Sequence, residues 1–299
     1  MILVIDPRLL TFLTLIEEKN YTKTASKLYI TQPSVTHHIK AIEKELNVSL
    51  FKDQKNFILS KEGEIILEFA KNAMLADTKL HNLLSKVEKK AKTSIAVTPY
   101  LSDVIVKRKI FSKISERIKE YNVFILPKDI ILEKIKLGEI DIGIIDDNFD
   151  DTIYDFIDIG KARVSLVTLR EGKFREFKKI TRAQFKEAKV ILSDSSSGLY
   201  KHTMEVFKKN NIVINMDNVI QTSSTDLLLD LVVENDAIGF IYDENIRVLD
   251  NPIYKKIELY NFDYEQSIYM IFDKNTFNNE KYYELLKDLG ENDENTLWG

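Results

Sequence analysis

The sequence predicts a mixed fold: a mostly α-helical winged helix-turn-helix head, a long linker helix, and an α/β region of two subdomains. Three observations predict it. Residues 21–51 (YTKTASKLYITQPSVTHHIKAIEKELNVSLF) hold two short helical patterns joined by a tight turn. Residues 62–90 read as one helix, with no Pro and no Gly after Gly63. From Thr93 onward, short β-rich runs alternate with helical ones, which implies a wound, parallel sheet. The expected division is 1–61 for the head, 62–91 for the linker and 92–299 for the α/β region. Its first subdomain takes about 92–161 and 267–299, its second about 162–266.

The second helix of the head carries the most information. Thr31 is an expected N-cap, and Pro33 falls in the first turn, where a missing N–H costs nothing. Val35, Ile39, Ile42 and Leu46 recur at steps of four, three and four and make one apolar stripe. Pro33, Thr36, His37, Lys40 and Lys44 lie opposite, a face of small, polar and basic side chains. His38 falls toward the flank of the stripe and ranks below His37. Such a helix suits the DNA major groove. Gln32 at its tip can pair bidentately with adenine, while Thr22, Thr31, Ser34 and the first-turn amides suit phosphates.

The preceding helix is expected over 23–29 with Thr22 as its cap and Ala25 and Leu28 inward. Leu9, Phe12, Leu13 and Ile16 supply a helix beneath the pair. After Leu46 comes a compact turn, then a polar, basic loop (Lys52, Asp53, Gln54, Lys55, Asn56) and an apolar return over 57–59. Strand, loop and strand in that place describe a wing, with Lys52 and Lys55 toward the DNA backbone.

Residues 6–70 resemble the DNA-binding domain of the LysR-type transcriptional regulators. The likeness rests on the T-Q-P-S-V-T core from Thr31 to Thr36, on Leu46, Leu50 and Phe51 behind it, and on Leu9, Phe12, Glu17, Tyr21, Thr22, Ala25, Leu28, Ile39, Leu59, Ser60 and Gly63. By that resemblance Thr31, Gln32, Pro33, Thr36, His37 and Lys40 take the recognition role. Three departures stand out. Thr24 replaces the usual small alanine, histidines occupy 37 and 38, and the wing carries lysine where arginine is common. The operator sequence therefore does not follow from the family.

Charge agrees with a protein that touches DNA at one end. The 299-residue chain has net charge −4. Residues 1–92 hold 15 Lys and Arg against 11 Asp and Glu, and the remainder 28 against 36. There are no cysteines, which removes disulfides, a thiolate nucleophile and zinc-thiolate sites. The start, MILVIDPRLL, is a poor secretion signal. No apolar run approaches the ~20 residues needed to span a bilayer. A soluble, cytoplasmic protein without membrane partners is expected.

The linker repeats apolar residues at 3-4 spacing: Ile66, Phe69, Ala70, Ala73, Met74, Ala76, Leu80, Leu83, Leu84 and Val87, with Asp77 as a weak point. That is close to a heptad and predicts pairing with a second copy. A homodimer or homotetramer would match a dyad-symmetric site. Burial of the helix on its own chain is the alternative.

The α/β region is expected to hold strands at 94–98, 122–126, 141–145, 163–169, 189–192, 218–222, 237–241 and 267–272. Helices fall at 104–121, 128–137, 182–187, 199–210, 225–234 and 279–289. Two subdomains with a returning chain resemble the effector domain of the same family and, through it, type-2 periplasmic solute-binding proteins. Small molecules bind such folds between the subdomains. Three polar clusters match effector-loop positions: Thr98, Pro99, Tyr100 and Ser102; Ser195, Ser196 and Ser197; Ser223, Ser224 and Thr225. Ordinary helix capping explains the same residue types. None of these loops holds an arginine, so a strongly anionic ligand is not signalled. Asn235, Asp236 and Tyr242 alter the family's glycine-rich segment near the crevice floor. RNA polymerase is a further partner that the resemblance implies.

Enzymatic motifs are missing: no Walker P-loop, no G-x-G-x-x-G, no G-x-S-x-G and no H-E-x-x-H. The four histidines (37, 38, 81 and 202) are scattered apart from one adjacent pair. Asp146 to Asp151 lacks the spacing of a calcium loop and reads as a solvated crossover. No catalytic residue, metal or cofactor is expected. The rival reading is a solute-binding or transferase-like protein whose head only oligomerises.

Overall fold

The computed structural model describes residues 5–88, 92–117, 120–245 and 251–274. They form two compact units divided near residue 90.

The first unit begins with α1 (Pro7–Glu18), α2 (Tyr21–Lys27) and α3 (Gln32–Leu46). Its core joins Phe12 and Leu15 of α1 to Ile39 and Ile42 of α3, with Leu50, Phe51 and Ile66. Burying each large aliphatic side chain contributes about 1.5–3 kcal/mol. The apolar stripe of α3 holds for Val35, Ile39 and Ile42, whereas Leu46, the last helical residue before the left-handed Asn47 cap, is 53% exposed. Thr22 does not cap α2. Asn20 does, its Oδ1 accepting from the amides of Thr22 (2.9 Å) and Lys23 (3.0 Å). Thr24, the departure beside Ala25, is fully buried without an orphaned hydroxyl, since its Oγ1 donates to Asn20 O at 2.8 Å.

The wing is β1 (Phe51–Asp53) antiparallel to β2 (Ile58–Leu59), so Lys52 lies in a strand and not in the loop. Helix α4 (Lys61–Glu88) follows. Of the linker stripe, Ile66 and Ala70 are buried, while Phe69, Leu80, Leu84 and Val87 are exposed.

The second unit is built on one mixed sheet with two parallel halves. One half pairs β3 (Thr93–Val97) with β4 (Tyr121–Ile125) and β5 (Ile142–Ile145). The other pairs β8 (Val190–Ser193) with β9 (Val219–Thr222) and β10 (Ile238–Tyr242). The expectation of a wholly parallel sheet is corrected by two long strands. β6 (Tyr154–Leu169) and β12 (Glu265–Asp273) run antiparallel to each other and to the strands beside them. The strand expected at 163–169 is thus only the second half of β6. Two further strands lie outside the sequence expectation, β7 (Lys179–Ile180) and β11 (Tyr254–Leu259), with β11 beside β6. The main order across the sheet is β4-β3-β5-β12-β6-β10-β8-β9.

Helices α7 (Lys128–Lys136), α8 (Arg182–Lys186), α9 (Gly198–Lys209) and α10 (Thr225–Asn235) lie where expected. The single helix expected at 104–121 is two, α5 (Ser102–Lys107) and α6 (Ile110–Arg117), broken at Lys109 with φ 56°. The helix expected at 279–289 lies outside the described residues.

Candidate functional site

The exposed face of the first unit is built around the start of α3. Thr31 Oγ1 accepts from the Ser34 amide at 3.3 Å and meets Ser34 Oγ at 2.8 Å, so both hydroxyls serve the helix cap. Gln32 Nε2 donates to Thr36 Oγ1 at 3.1 Å, and that hydroxyl donates to Gln32 O at 3.3 Å. This leaves Oε1 and the second Nε2 hydrogen outward, the donor and acceptor that an adenine edge requires. Pro33, His37 and Lys40 are exposed or partly exposed beside it.

His38 is not on that face. Its Nδ1 lies 2.8 Å from Thr11 Oγ1, whose proton is offered to Pro7 O at 3.1 Å, so the ring buttresses α3 against α1. Thr22 is exposed at the first turn of α2. In the wing Lys52 and Lys55 are exposed. Gln54 Nε2 donates to Tyr21 OH at 2.7 Å and ties the wing to α2. Asp53 accepts from Asn56 Nδ2 (2.7 Å) and from the amides of Lys55 (3.0 Å) and Asn56 (3.2 Å). The Asn56 bonds hold its carboxyl below the usual carboxylate range. Asp53 therefore fixes the wing turn and stays ionised beside the two lysines.

In the second unit two of the three predicted loops touch a residue outside the sequence-predicted set, and the third is tied to the first. Asp146, just after β5, is 1% exposed. Thr98 Oγ1 donates to its Oδ1 at 3.0 Å, and Tyr242 OH donates to its Oδ2 at 2.6 Å. Tyr100 OH donates to Thr222 O, which joins the first loop to the third. Gly198, at the start of α9, touches Asp146 so closely that a Cβ there would lie 2.5 Å from Asp146 O. Pro99 and Tyr100 form a 3-10 turn, and Ser102 Oγ donates to Pro99 O at 2.9 Å.

The serines divide by role. Ser197 caps α9 through the Tyr200 amide (3.1 Å), and Ser224 caps α10 through the Leu227 amide (3.4 Å). Ser196 bonds Asp194, while Ser195 and Ser223 are exposed. Thr225 is 8% exposed and its Oγ1 has no hydrogen-bond partner.

Asp146 and Asp147 correct the picture of a solvated acidic loop. Both are buried, with Asp147 at 4% exposure. Lys128 of α7 and Lys201 of α9 each reach Asp147 Oδ2 at 2.8 Å, and His202 Nε2 lies 3.8 Å from its Oδ1. Burial pushes the Asp146 carboxyl up, and burial beside Asp146 raises the Tyr242 hydroxyl strongly. For Asp147 burial acts upward too, but the Lys128 and Lys201 bonds outweigh it and the carboxyl ends lowered. Its stabilisation is thus complete above the ordinary carboxylate pKa of about 3.9 and fades as pH falls below it. Asp147→Asn is expected to cost about 1.5–3 kcal/mol at pH 7, the scale of hydrogen bonds to charged groups. In urea titrations the gap from the parent chain should narrow from pH 7 toward pH 3. A gap that is constant with pH would show that the carboxylate charge contributes nothing.

Among the described residues, no three His, Cys, Asp or Glu side chains are grouped to hold a metal, and no helix is long and apolar enough to cross a membrane.

Residues 8–64 match a family model described as "Bacterial regulatory helix-turn-helix protein, lysR family", and residues 95–293 match the "LysR substrate binding domain". The HTH-type transcriptional regulator CysL of Bacillus subtilis (strain 168) is 24% identical over 211 residues, 68% of this chain and 69% of CysL. CitR of the same organism is 32% identical over 145 residues, 45% of this chain and 47% of CitR. Among solved structures, full-length CbnR complexed with its target DNA has TM-score 0.56 at 16% identity, covering 95% of this chain and 99% of CbnR. HinK, a LysR family transcriptional regulator from Pseudomonas aeruginosa, has TM-score 0.56 at 14% identity, covering 95% of this chain and 97% of HinK. At those identities the structural likeness shows the fold alone. The two family models together span most of the chain, and it belongs to the LysR family of transcriptional regulators, which join a helix-turn-helix DNA-binding domain to a substrate-binding domain.

Proposed function

We propose that the regulator reads its operator through Gln32, Thr36, His37 and Lys40 and holds phosphates with Thr22, Thr31, Lys52 and Lys55. It is answered by a small molecule that enters around Asp146. The observation that carries the effector reading is the meeting of three hydroxyl-bearing loops from both halves of the sheet. Thr98 and Tyr242 grip one carboxylate, and Tyr100 reaches Thr222. A ligand placed there would touch both halves and could favour one arrangement over the other, the condition for any ligand-driven shift. The absence of arginine from these loops and the buried Asp146 both favour a ligand without a strong negative charge.

A homodimer or homotetramer is part of the proposal. Phe69, Leu80, Leu84 and Val87 leave an apolar row exposed on α4. Beside it a groove of about 390 Å3 is lined by Leu9, Ile42, Leu46, Phe69 and Ala73. Contact with RNA polymerase and a cytoplasmic location belong to the same reading, as does the division at residues 61 and 91.

Bulky replacements at Ser196, Ser223 or Ser224 test it. A compound library is first screened by thermal shift on the full chain, and the stabilising compound is then used in a reporter strain. The Ser196 and Ser223 variants are expected to keep their melting temperature within about 2 °C, the scale of surface substitutions. The Ser224 variant should melt a few degrees lower for the lost α10 cap. All three should lose the response to that compound. Expression would be constant, high or low. Three variants that fold and respond like the parent would place the effector elsewhere.

A further inference from the structure

Tyr29 occupies the turn between α2 and α3 with φ 55°, and it is 96% exposed. Both facts run against a residue kept for the fold. A bulky side chain in the left-handed region is strained, and glycine would adopt it freely. A large aromatic ring in water returns nothing for that strain. Phe57 in the wing also has positive φ, at 54°, but its ring packs 6.0 Å from Tyr21 and 6.2 Å from Phe51. The Tyr29 turn is closed by backbone alone, Tyr29 N to Ser26 O at 3.3 Å and Ile30 N to Ala25 O at 3.0 Å. Its ring takes no part.

Tyr29 stands two residues before the Thr31 cap in the chain, and Gln32 and Pro33 at the start of α3 are exposed as it is. The cation of the last turn of α2, Lys27, is held by Glu17 at 3.1 Å and Glu18 at 2.8 Å. The chain entering α3 therefore presents a neutral phenol as its outward donor. Strain without an internal return points to a return made on binding.

We infer that Tyr29 is a phosphate contact: its hydroxyl donates to a phosphodiester oxygen of the DNA backbone. This rests on α3 being the DNA-reading helix. Tyrosine hydroxyls are among the donors that DNA-binding proteins aim at phosphates, and such contacts carry no sequence information. A neutral donor also releases no counterion, so the contact should leave the salt dependence untouched.

The test compares full-length parent, Tyr29→Gly and Tyr29→Phe. The probes are a fluorescent duplex from the DNA upstream of the protein's own reading frame and a scrambled duplex of equal length, each over a salt series. Tyr29→Gly is expected to melt no lower than the parent, and up to about 4 °C higher as strain is relieved. Its affinity should fall roughly three- to ten-fold on both duplexes, the scale of one hydrogen bond. The slope of log affinity against log salt should stay unchanged. Tyr29→Phe should show the same loss. Full affinity in either variant, or a loss that follows a lower melting temperature, overturns the assignment. So does intact DNA binding with lost reporter activation, which would make the ring a protein contact. A parent chain that binds neither duplex removes the DNA-reading role of α3 itself, and the Tyr29 contact with it.

Discussion

Gly63→Ala is expected to destabilise the first unit by about 2–3 kcal/mol, in the upper range for overpacking a tight contact, and to weaken DNA binding. Gly63 is the third residue of α4, and an added Cβ would lie 2.0 Å from Leu50 O and 3.2 Å from Leu59 Cδ2. The obstacle is backbone, so no rotamer change relieves it. The same carbonyl accepts from the Ser60 amide at 3.0 Å, and Ser60 Oγ accepts from the Gly63 amide at 2.9 Å. The start of α4 is therefore fastened to the base of the wing at one point. Moving it displaces Leu50, which is fully buried between α1 and α3. A urea titration should show a lower midpoint with an unchanged slope. Parent-like stability would mean that α4 can tilt away from the wing without loss.

The second large effect concerns base reading. Gln32→Ala and His37→Ala should each cost about 1–3 kcal/mol on the operator, the scale of a lost base contact, and far less on random DNA. Gln32 is the stronger case, because its bond to Thr36 already orients the carboxamide before DNA arrives. Lys55→Ala should behave differently. It removes a charge beside the phosphates, so it should weaken all sequences alike and flatten the salt dependence. Competition titrations with specific and random duplexes separate the two patterns. Equal losses on both duplexes for Gln32→Ala would reassign it to the backbone.

The elements legible in the sequence are those whose signal is local. α3 can be read because Thr31, Pro33 and a 3-4 apolar period lie within one helix, and the wing because its charged loop sits between two apolar pairs. Thr22 imitates a cap because a threonine before a helical run fits the rule as well as the asparagine two residues earlier. The first half of β6 is hidden for a related reason. Asp155, Asp158 and Gly160 interrupt its alternation, and they are tolerated because β12 pairs along it through a register shift. β11 hides behind Lys255 and Lys256, whose ammonium groups reach carbonyls of Phe174 and Asp243 that sequence cannot place nearby. The same limit governs the loops around Asp146. They are visible as hydroxyl clusters, but Asp146 and Asp147 look like solvated acids. Their burial depends on Tyr242 and Lys201, 96 and 54 residues away.

The central claim is that α3 gives this chain a sequence preference for its own regulatory DNA. The most direct measurement is the affinity of the full-length protein for the region upstream of its reading frame, titrated against excess scrambled duplex at fixed, near-physiological salt. A preference of at least about 10³-fold is the expected result, the lower end for specific DNA-binding proteins. Equal affinity for both duplexes would contradict it and leave the head as an oligomerisation module.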